Sequence, residues 1–192
     1  MAHYEERVYD MLPFRELSKN IFRKHVTENK KPTDTKLMFK WHGDPKGELE
    51  LNVKYKIAQP FGSQRTPDII ILYKDDDNAL HITSIEVKSS KSFNIFWNDG
   101  APMRNCIYVV FIKGDLYRTF KRGDLVSEKF YTARNRILTD IRRYKHIDND
   151  PDKNHMTFEL FPRLNMTSKV NKYSFEPYNG SKMLKDIISN IR

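Results

Sequence analysis

Three charged residues stand at the ends of two apolar segments, where a buried strand would otherwise carry hydrophobic side chains. Asp68 opens the segment "DIIILY", and Glu86 and Lys88 close the segment "LHITSIEVK". Residues two apart in a strand project from the same face, so Glu86 and Lys88 lie side by side and Val87 faces the opposite way. If the two segments pair as antiparallel strands, the start of the first meets the end of the second. Asp68 then joins Glu86 and Lys88.

Two carboxylates at one sheet edge repel each other, and burying them without a counter-charge is costly. A divalent cation removes that conflict. Mg²⁺ prefers oxygen ligands, so Asp68, Glu86 and the backbone carbonyl of Val87 would suit it, with Mn²⁺ expected to substitute. Such a cation acidifies a coordinated water, while Lys88 orients that water and stabilises negative charge on a phosphate. The residue types therefore predict hydrolysis of a phosphodiester, with Asp68, Glu86 and Lys88 as catalytic residues.

The specificity of this pattern comes from its context. Glu-x-Lys also occurs at 28–30, and Pro-Asp recurs at 151–152. Only Pro67-Asp68 and Glu86-Val87-Lys88 are each joined to an apolar segment, and the short turn "KDDDNA" connects those segments. The three aspartates of that turn are typical of a solvated hairpin rather than of a metal site. The structural alternative is a salt bridge between Lys88 and a carboxylate at a strand end.

The segments "PDIIILY" and "IEVKSS" together resemble the active-site hairpin of the PD-(D/E)xK nuclease superfamily. Continued through "WNDGAP" to "CIYVVF", the sequence is most similar to type II restriction endonucleases. The resemblance implies magnesium-dependent, sequence-specific cleavage of double-stranded DNA, with Asp68 and Glu86 as metal-binding acids and Lys88 as the catalytic lysine. Family members often add an acid from the first helix. Which residue would do so stays open among five glutamates: Glu5, Glu6, Glu16, Glu48 and Glu50.

The elements that must position these residues follow the order helix, several strands, basic helix, strand, helix. That order predicts an α/β (α+β) fold with a mixed central sheet flanked by helices, and the resemblance implies a restriction-endonuclease-like core. A single domain is expected over 1–192, with a catalytic core at about 48–114, a basic helix at about 125–146 and a C-terminal strand and helix at about 155–192. Local patterns predict a first helix from about Pro13 to Glu28, a hairpin around "GDPKG", and Ser181 as cap of the last helix.

The charge balance predicts a polyanionic partner such as nucleic acid or an acidic membrane. The chain carries 34 Lys and Arg against 25 Asp and Glu, a net charge of +9. Ten basic and four acidic residues lie between Lys113 and His146, so most of the surplus is clustered there. The basic helix, with Arg142 and Arg143, is expected to follow the DNA backbone. The alternative for this cluster is a solvated helix face.

Polar residues around the hairpin could hold and read DNA, because phosphate contacts supply affinity and base-edge contacts supply sequence. Expected contacts near the hairpin are Arg65, Ser89, Ser90 and Lys91. The following loop offers Asn94, Asn98, Asp99 and Arg104 as readers of bases, although an ordinary turn would carry similar residues. A second irregular stretch offers Arg163 and Lys169.

Cutting both strands of a duplex requires two active sites, so a symmetric homodimer on a palindromic or near-palindromic site is expected. The single cysteine, Cys106, excludes an intramolecular disulfide and a four-thiolate zinc site, and is interpreted as a buried structural thiol. No membrane-spanning segment or secretion signal is visible, which favours a cytoplasmic location. Two alternatives stay open. One is a structure-specific, repair or transposon-end nuclease of the same superfamily. The other is a non-catalytic basic DNA-binding module.

Overall fold

The computed structural model describes residues 3–28, 39–42, 47, 49–62, 67–97, 106–121, 129, 132–133, 136–137, 139–140, 166–169 and 172–191. The helices are α1 (His3–Met11), α2 (Lys19–His25) and α3 (Gly180–Asn190). The strands are β1 (Arg15–Glu16), β2 (Val26–Glu28), β3 (Phe39–Trp41), β4 (Tyr55–Ala58), β5 (Ile69–Lys74), β6 (Leu80–Ser90), β7 (Asn94–Trp97), β8 (Cys106–Ile112), β9 (Leu116–Lys121), β10 (Met166–Lys169) and β11 (Glu176–Pro177).

The central feature is a seven-stranded mixed sheet in the order β1-β4-β5-β6-β8-β9-β11. Strand β5 runs antiparallel to both β4 and β6, β8 runs parallel to β6, and β9 returns antiparallel to β8. Two further sheets of two strands each are separate from it in their strand pairing: β2 pairs with β3, and β7 pairs with β10. The pair β7–β10 is called the ribbon below. The predicted α/β (α+β) fold, a mixed sheet with flanking helices, is confirmed.

The two faces of the sheet are covered differently. On one face, which we call the helical face, Ile85 and Val87 of β6 pack with Val8 of α1 and with Met183 and Ile187 of α3. The opposite face carries the side chains of Glu86 and Lys88, because neighbours alternate along a strand. We call it the site face. It is covered by the segment around α2 beside β4 and β5, and by the ribbon beside β8.

The helix predicted from about Pro13 to Glu28 forms only over Lys19–His25, as α2, and a separate helix, α1, precedes it. The chain between Arg15 and Leu17 runs alongside β4 instead: the backbone N–H of Arg15 donates to Lys54 O, and that of Leu17 to Lys56 O. Ser18 then caps α2 by accepting from the backbone N–H of Asn20. Pairing with a distant strand outweighs the local helical spacing.

The predicted hairpin around "GDPKG" is also wrong. Strand β3 pairs with β2 rather than with the chain that follows it, and the segment 49–53 turns before β4 begins. Asn52 has a φ of 61°, a left-handed conformation that interrupts a strand. In contrast, the hairpin β5–β6 forms as predicted. Its turn is closed by Asp75, whose carboxylate accepts from the backbone N–H of Ala79.

Two further corrections concern loops and caps. Asn94–Trp97, predicted as part of a loop, is strand β7. The last helix begins at Gly180, and Asn179 rather than Ser181 caps it by accepting from the backbone N–H of Lys182. The predicted strand "HMTFELF" lies outside the described residues. Described residues between Lys129 and Asp140 are helical and exposed, as expected for part of the basic helix. Within the described residues, no helix is long and apolar enough to cross a membrane.

Candidate active site

The three charged residues of the hairpin meet at one end of β5 and β6. Ile69 pairs with Ile85, so continuing the register by one residue sets Asp68 opposite Glu86. Side chains at opposite positions share a face, and Lys88 shares it too because it lies two residues beyond Glu86. The structure therefore brings Asp68, Glu86 and Lys88 together on the site face.

Asp68 is fixed by the backbone of the neighbouring strand. One of its carboxylate oxygens, Oδ2, accepts a hydrogen bond of 2.8 Å from the backbone N–H of Val87. Strand β5 begins only at Ile69. At Asp68, the side-chain carboxylate therefore accepts the kind of hydrogen bond that a backbone carbonyl accepts elsewhere between the two strands. This bond orients the carboxylate beside Glu86.

The same bond indicates where the carbonyl of Val87 points. In a strand, the N–H and C=O of one residue point toward the same edge, and successive residues alternate. The N–H of Val87 points toward Asp68, so its C=O does as well. Ser90, of opposite parity, directs its carbonyl toward β8, where it accepts from the backbone N–H of Lys113 at 2.8 Å. The backbone oxygen of Val87 thus faces the edge where Asp68 lies.

Glu86 and Lys88 form a tight ion pair. Lys88 Nζ lies 2.6 Å from Glu86 Oε1, and the side chains are only 18% and 5% exposed, respectively. A charged hydrogen bond of this length, shielded from water, is stronger than a surface pair. The lysine ammonium therefore holds the negative charge of Glu86 in place.

Gln59, which no sequence motif marks, supports the site from the position that follows β4. Its φ is 43°, an unusual conformation for a residue with a side chain, and its backbone N–H donates to Asp68 O at 2.5 Å. Its side-chain amide donates to Glu5 Oε2 of α1 at 3.1 Å. A non-glycine residue in left-handed backbone at a strand end often marks a functional site, but φ cannot be read from sequence. Of the five candidate glutamates, Glu5 is thus connected to Asp68 through Gln59.

The other candidate glutamates have different surroundings. Glu16 lies on β1, where it raises the pKa of Tyr9 as a secondary cause after burial, and Glu50 pairs with the guanidinium of Arg15. Glu6 is exposed on α1, and Glu48 lies outside the described residues.

Cys106 is a buried thiol on β8, near the site. Its strand partner in β6 is Ser84, and the next residue of the same face, Tyr108, is paired with Glu86. Burial, and then the nearby carboxylate of Glu86, raise the pKa of the Cys106 thiol well above its ordinary value. A thiol held neutral in this way is a poor nucleophile and a poor metal ligand. The expectation of a buried thiol is confirmed.

The predicted DNA contacts are only partly described. Ser89, Ser90 and Lys91 follow the site on β6 and in the next turn, and Asn94 begins β7 with its side chain exposed. Lys169 ends β10, opposite Asn94. The remaining predicted contacts lie outside the described residues: Arg65, Asn98, Asp99, Arg104, Arg142, Arg143 and Arg163.

No protein-family model, curated protein or solved structure matches this chain. Within the described part of the chain, no cluster of three or more His, Cys, Asp or Glu side chains could hold a metal. The oxygen set at the hairpin is of a different kind, with two carboxylates and one backbone carbonyl. Oxygen donors of this type fit Mg²⁺ or Mn²⁺, which complete their coordination with water. The residues present therefore suit a hard divalent cation.

Proposed function

We propose that this protein is a magnesium-dependent, sequence-specific endonuclease that hydrolyses phosphodiester bonds in double-stranded DNA, as type II restriction enzymes do. The observation that carries the proposal is the convergence of Asp68, Glu86 and Lys88 on one face at the end of a hairpin. The order of the strands around them, with β5 antiparallel to both β4 and β6 and β8 parallel to β6, supports it. The net charge of +9 favours a polyanionic substrate.

Each residue has a distinct role in this proposal. Asp68, Glu86 and the carbonyl of Val87 would hold the cation, which would supply electrophilic stabilisation and acidify water when bound. Asp68 is oriented for this by its bond to the backbone of Val87. The ammonium of Lys88 would orient the attacking water and stabilise charge on the reacting phosphate. A site that cuts one strand implies a homodimer for a double-strand cut.

The test is a pair of assays on one purified protein: plasmid cleavage in Mg²⁺ and gel-shift affinity in Ca²⁺. Lys88→Ala should abolish or severely reduce cleavage and leave DNA affinity nearly unchanged, because the ammonium acts mainly in the transition state. Lys185→Ala is the control: this exposed lysine lies on α3, which packs on the helical face, and it should leave the rate of cleavage within a few fold. Discrete fragments from a plain plasmid would separate a restriction enzyme from a structure-specific nuclease.

A second candidate function is a non-catalytic basic DNA-binding module, and the ion pair between Lys88 and Glu86 favours it. A lysine at 2.6 Å from a buried carboxylate is also what a purely structural salt bridge looks like. In that case the protein would bind DNA without Mg²⁺ and would not cut it. A wild-type protein that leaves plasmid intact in Mg²⁺ and Mn²⁺, or a Lys88→Ala variant that cuts at the wild-type rate, would favour this second function.

A further inference from the structure

The ribbon starts where the site ends. Strand β7 begins four residues after Ser90, the last residue of β6, and the Ser90 hydroxyl donates to the carbonyl of Asn94 at 2.6 Å. Strand β10, about 70 residues later, pairs with β7 in an antiparallel register that sets Thr167 opposite Phe96 and Lys169 opposite Asn94. A two-stranded ribbon is thereby attached directly to the strand that carries Glu86 and Lys88.

The inner side of the ribbon packs on the site face of the sheet. Ile95 is 1% exposed and shares a core cluster with Tyr108 and Val110, which are the β8 partners of Glu86 and Lys88. Below it, Phe175 bridges two other rings, with centroids 6.3 Å from Phe93 and 5.9 Å from Phe120. The ribbon is therefore held firmly beside the candidate active site.

The outer side of the ribbon presents Asn94 and Phe96. Both alternate with buried Ile95, both are exposed, and Phe96 keeps 62% of its surface in contact with solvent. The ribbon therefore presents an amide and an aromatic ring to solvent, side by side on one side of a well-packed strand. Two exposed lysines lie near the start of the ribbon: Lys91 in the turn before β7, and Lys113, whose backbone N–H donates to Ser90 O at 2.8 Å.

We infer that the ribbon enters the major groove of duplex DNA and reads an A·T-containing stretch, with Asn94 on adenine and Phe96 on the methyl group of thymine. The major groove admits a two-stranded ribbon, asparagine pairs with two atoms of adenine there, and phenylalanine is suited to the thymine methyl. Side chains two residues apart in a strand are separated by about 7 Å, which matches about two base-pair steps of 3.4 Å. The two contacts fall on bases about two positions apart.

This inference rests on the DNA-binding part of the proposed function. The partner is DNA rather than a second copy of this chain, because the exposed lysines Lys91 and Lys113 lie near the start of the ribbon and favour a polyanion. The chain as a whole also carries a surplus of positive charge.

The experiment selects DNA by binding in Ca²⁺ from a pool of random duplexes of about 30 base pairs, roughly three helical turns. The wild-type protein should enrich a sequence with A·T pairs at two positions about two steps apart. Asn94→Ala should lose the preference at one position and Phe96→Ala at the other. Leu51→Ala removes an apolar side chain that is 52% exposed on the segment beside Lys74, at the far end of β5, and should leave both preferences unchanged.

A second measurement uses the selected duplex with uracil in place of the critical thymine. Removing that methyl group should weaken wild-type binding about fourfold, the effect of losing one buried methyl-sized group. The Phe96→Ala protein should bind the two duplexes equally. Equal binding of thymine and uracil by the wild type would overturn the inference, as would unaltered selection by both variants. The inference would also be overturned if the wild type were a dimer that the Phe96→Ala substitution dissociates while the base preference stays intact.

The inference and the proposed function fail in different ways. A plasmid that stays intact in Mg²⁺ while Asn94 and Phe96 still set base preference would end the nuclease proposal and support the ribbon. A plasmid that is cut at one sequence by the wild type and by both variants alike would do the reverse.

Discussion

At the scale of single residues, the two carboxylates of the candidate site are held by different groups. Asp68 is oriented by the backbone of Val87, whereas Glu86 is held by the ammonium of Lys88. A cation bound between the two carboxylates must share Glu86 with that ammonium or displace it. Under the proposed function, Lys88 would therefore oppose cation binding and assist the hydrolysis.

This competition predicts that Lys88→Met binds Mn²⁺ more tightly than the wild type, by about tenfold, or ~1.4 kcal/mol. Lys88→Arg keeps the positive charge and should not show the gain. Isothermal titration calorimetry with Mn²⁺, in the absence of DNA, measures the affinity of each protein for the cation. Lys91→Met removes an exposed lysine three residues further along the chain and controls for the change in net charge. Unchanged or weaker Mn²⁺ binding by Lys88→Met would show that the ammonium does not compete for Glu86.

A second prediction at this scale concerns Cys106. Because its pKa is raised, the thiol stays neutral in the folded protein where an unfolded thiol ionises, at about pH 8.5. A raised thiol pKa stabilises the fold below the unfolded pKa, and this contribution is lost as the pH rises further. At pH 8, native protein should react with iodoacetamide far more slowly than protein in urea. Equal rates, followed by mass spectrometry, would mean that the thiol is accessible and ionised.

At the scale of elements, Lys56 ties β4 to α1. It is 7% exposed, and its ammonium donates to the carbonyls of Tyr9 and Leu12 at 3.0 Å each, at the end of the helix. A cation at a helix C-terminus satisfies carbonyls that have no partner within the helix and favours the helix dipole. This contact sets α1, and with it Glu5, against the strand that leads to Gln59.

Lys56→Met should lower the free energy of unfolding by about 2 kcal/mol, because it leaves buried carbonyls without their charged donor. Urea unfolding monitored by circular dichroism measures the change. Lys54→Met is the matched control two residues earlier. Lys54 Nζ lies 5.1 Å from the centre of the Tyr73 ring, so its removal should lower the free energy of unfolding by less than about 1 kcal/mol. A loss for Lys56→Met no larger than that of Lys54→Met would show that the two carbonyls find other donors.

How far the sequence predicts these elements depends on how local each one is. The hairpin β5–β6 was predictable because two apolar segments flank a short turn rich in aspartate, and strand β8 because it is apolar throughout. Strand β1 was not predictable, since its partner β4 is some 40 residues away and its own sequence has helical spacing. Strand β7 was not predictable either, because its partner, β10, is about 70 residues away. The placement of Asp68, Glu86 and Lys88 follows from the local hairpin, whereas Gln59 and Phe96 depend on non-local packing.

At the scale of the whole molecule, the central sheet separates the helical face from the site face. Helices α1 and α3 pack on the helical face, and the site and the ribbon belong to the other. A duplex bound over the site face would be met by the ribbon and, in our proposal, by the basic helix. Affinity would then come from many phosphate contacts and sequence preference from few base contacts.

Salt dependence tests this division directly, because each phosphate contact adds about one unit to the slope of log affinity against log salt. Arg142→Glu combined with Arg143→Glu should lower that slope by about two and weaken binding alike on all sequences. The matched control is Lys182→Glu combined with Lys185→Glu on α3. Both double variants lower the net charge of +9 by four, but α3 packs on the helical face through Met183 and Ile187. The control should therefore alter the slope by less than one unit. Equal losses in the two double variants, measured by gel shift in Ca²⁺ over a range of salt concentrations, would mean that overall charge rather than the basic helix binds DNA. An unchanged slope in the arginine pair would place that helix away from the duplex.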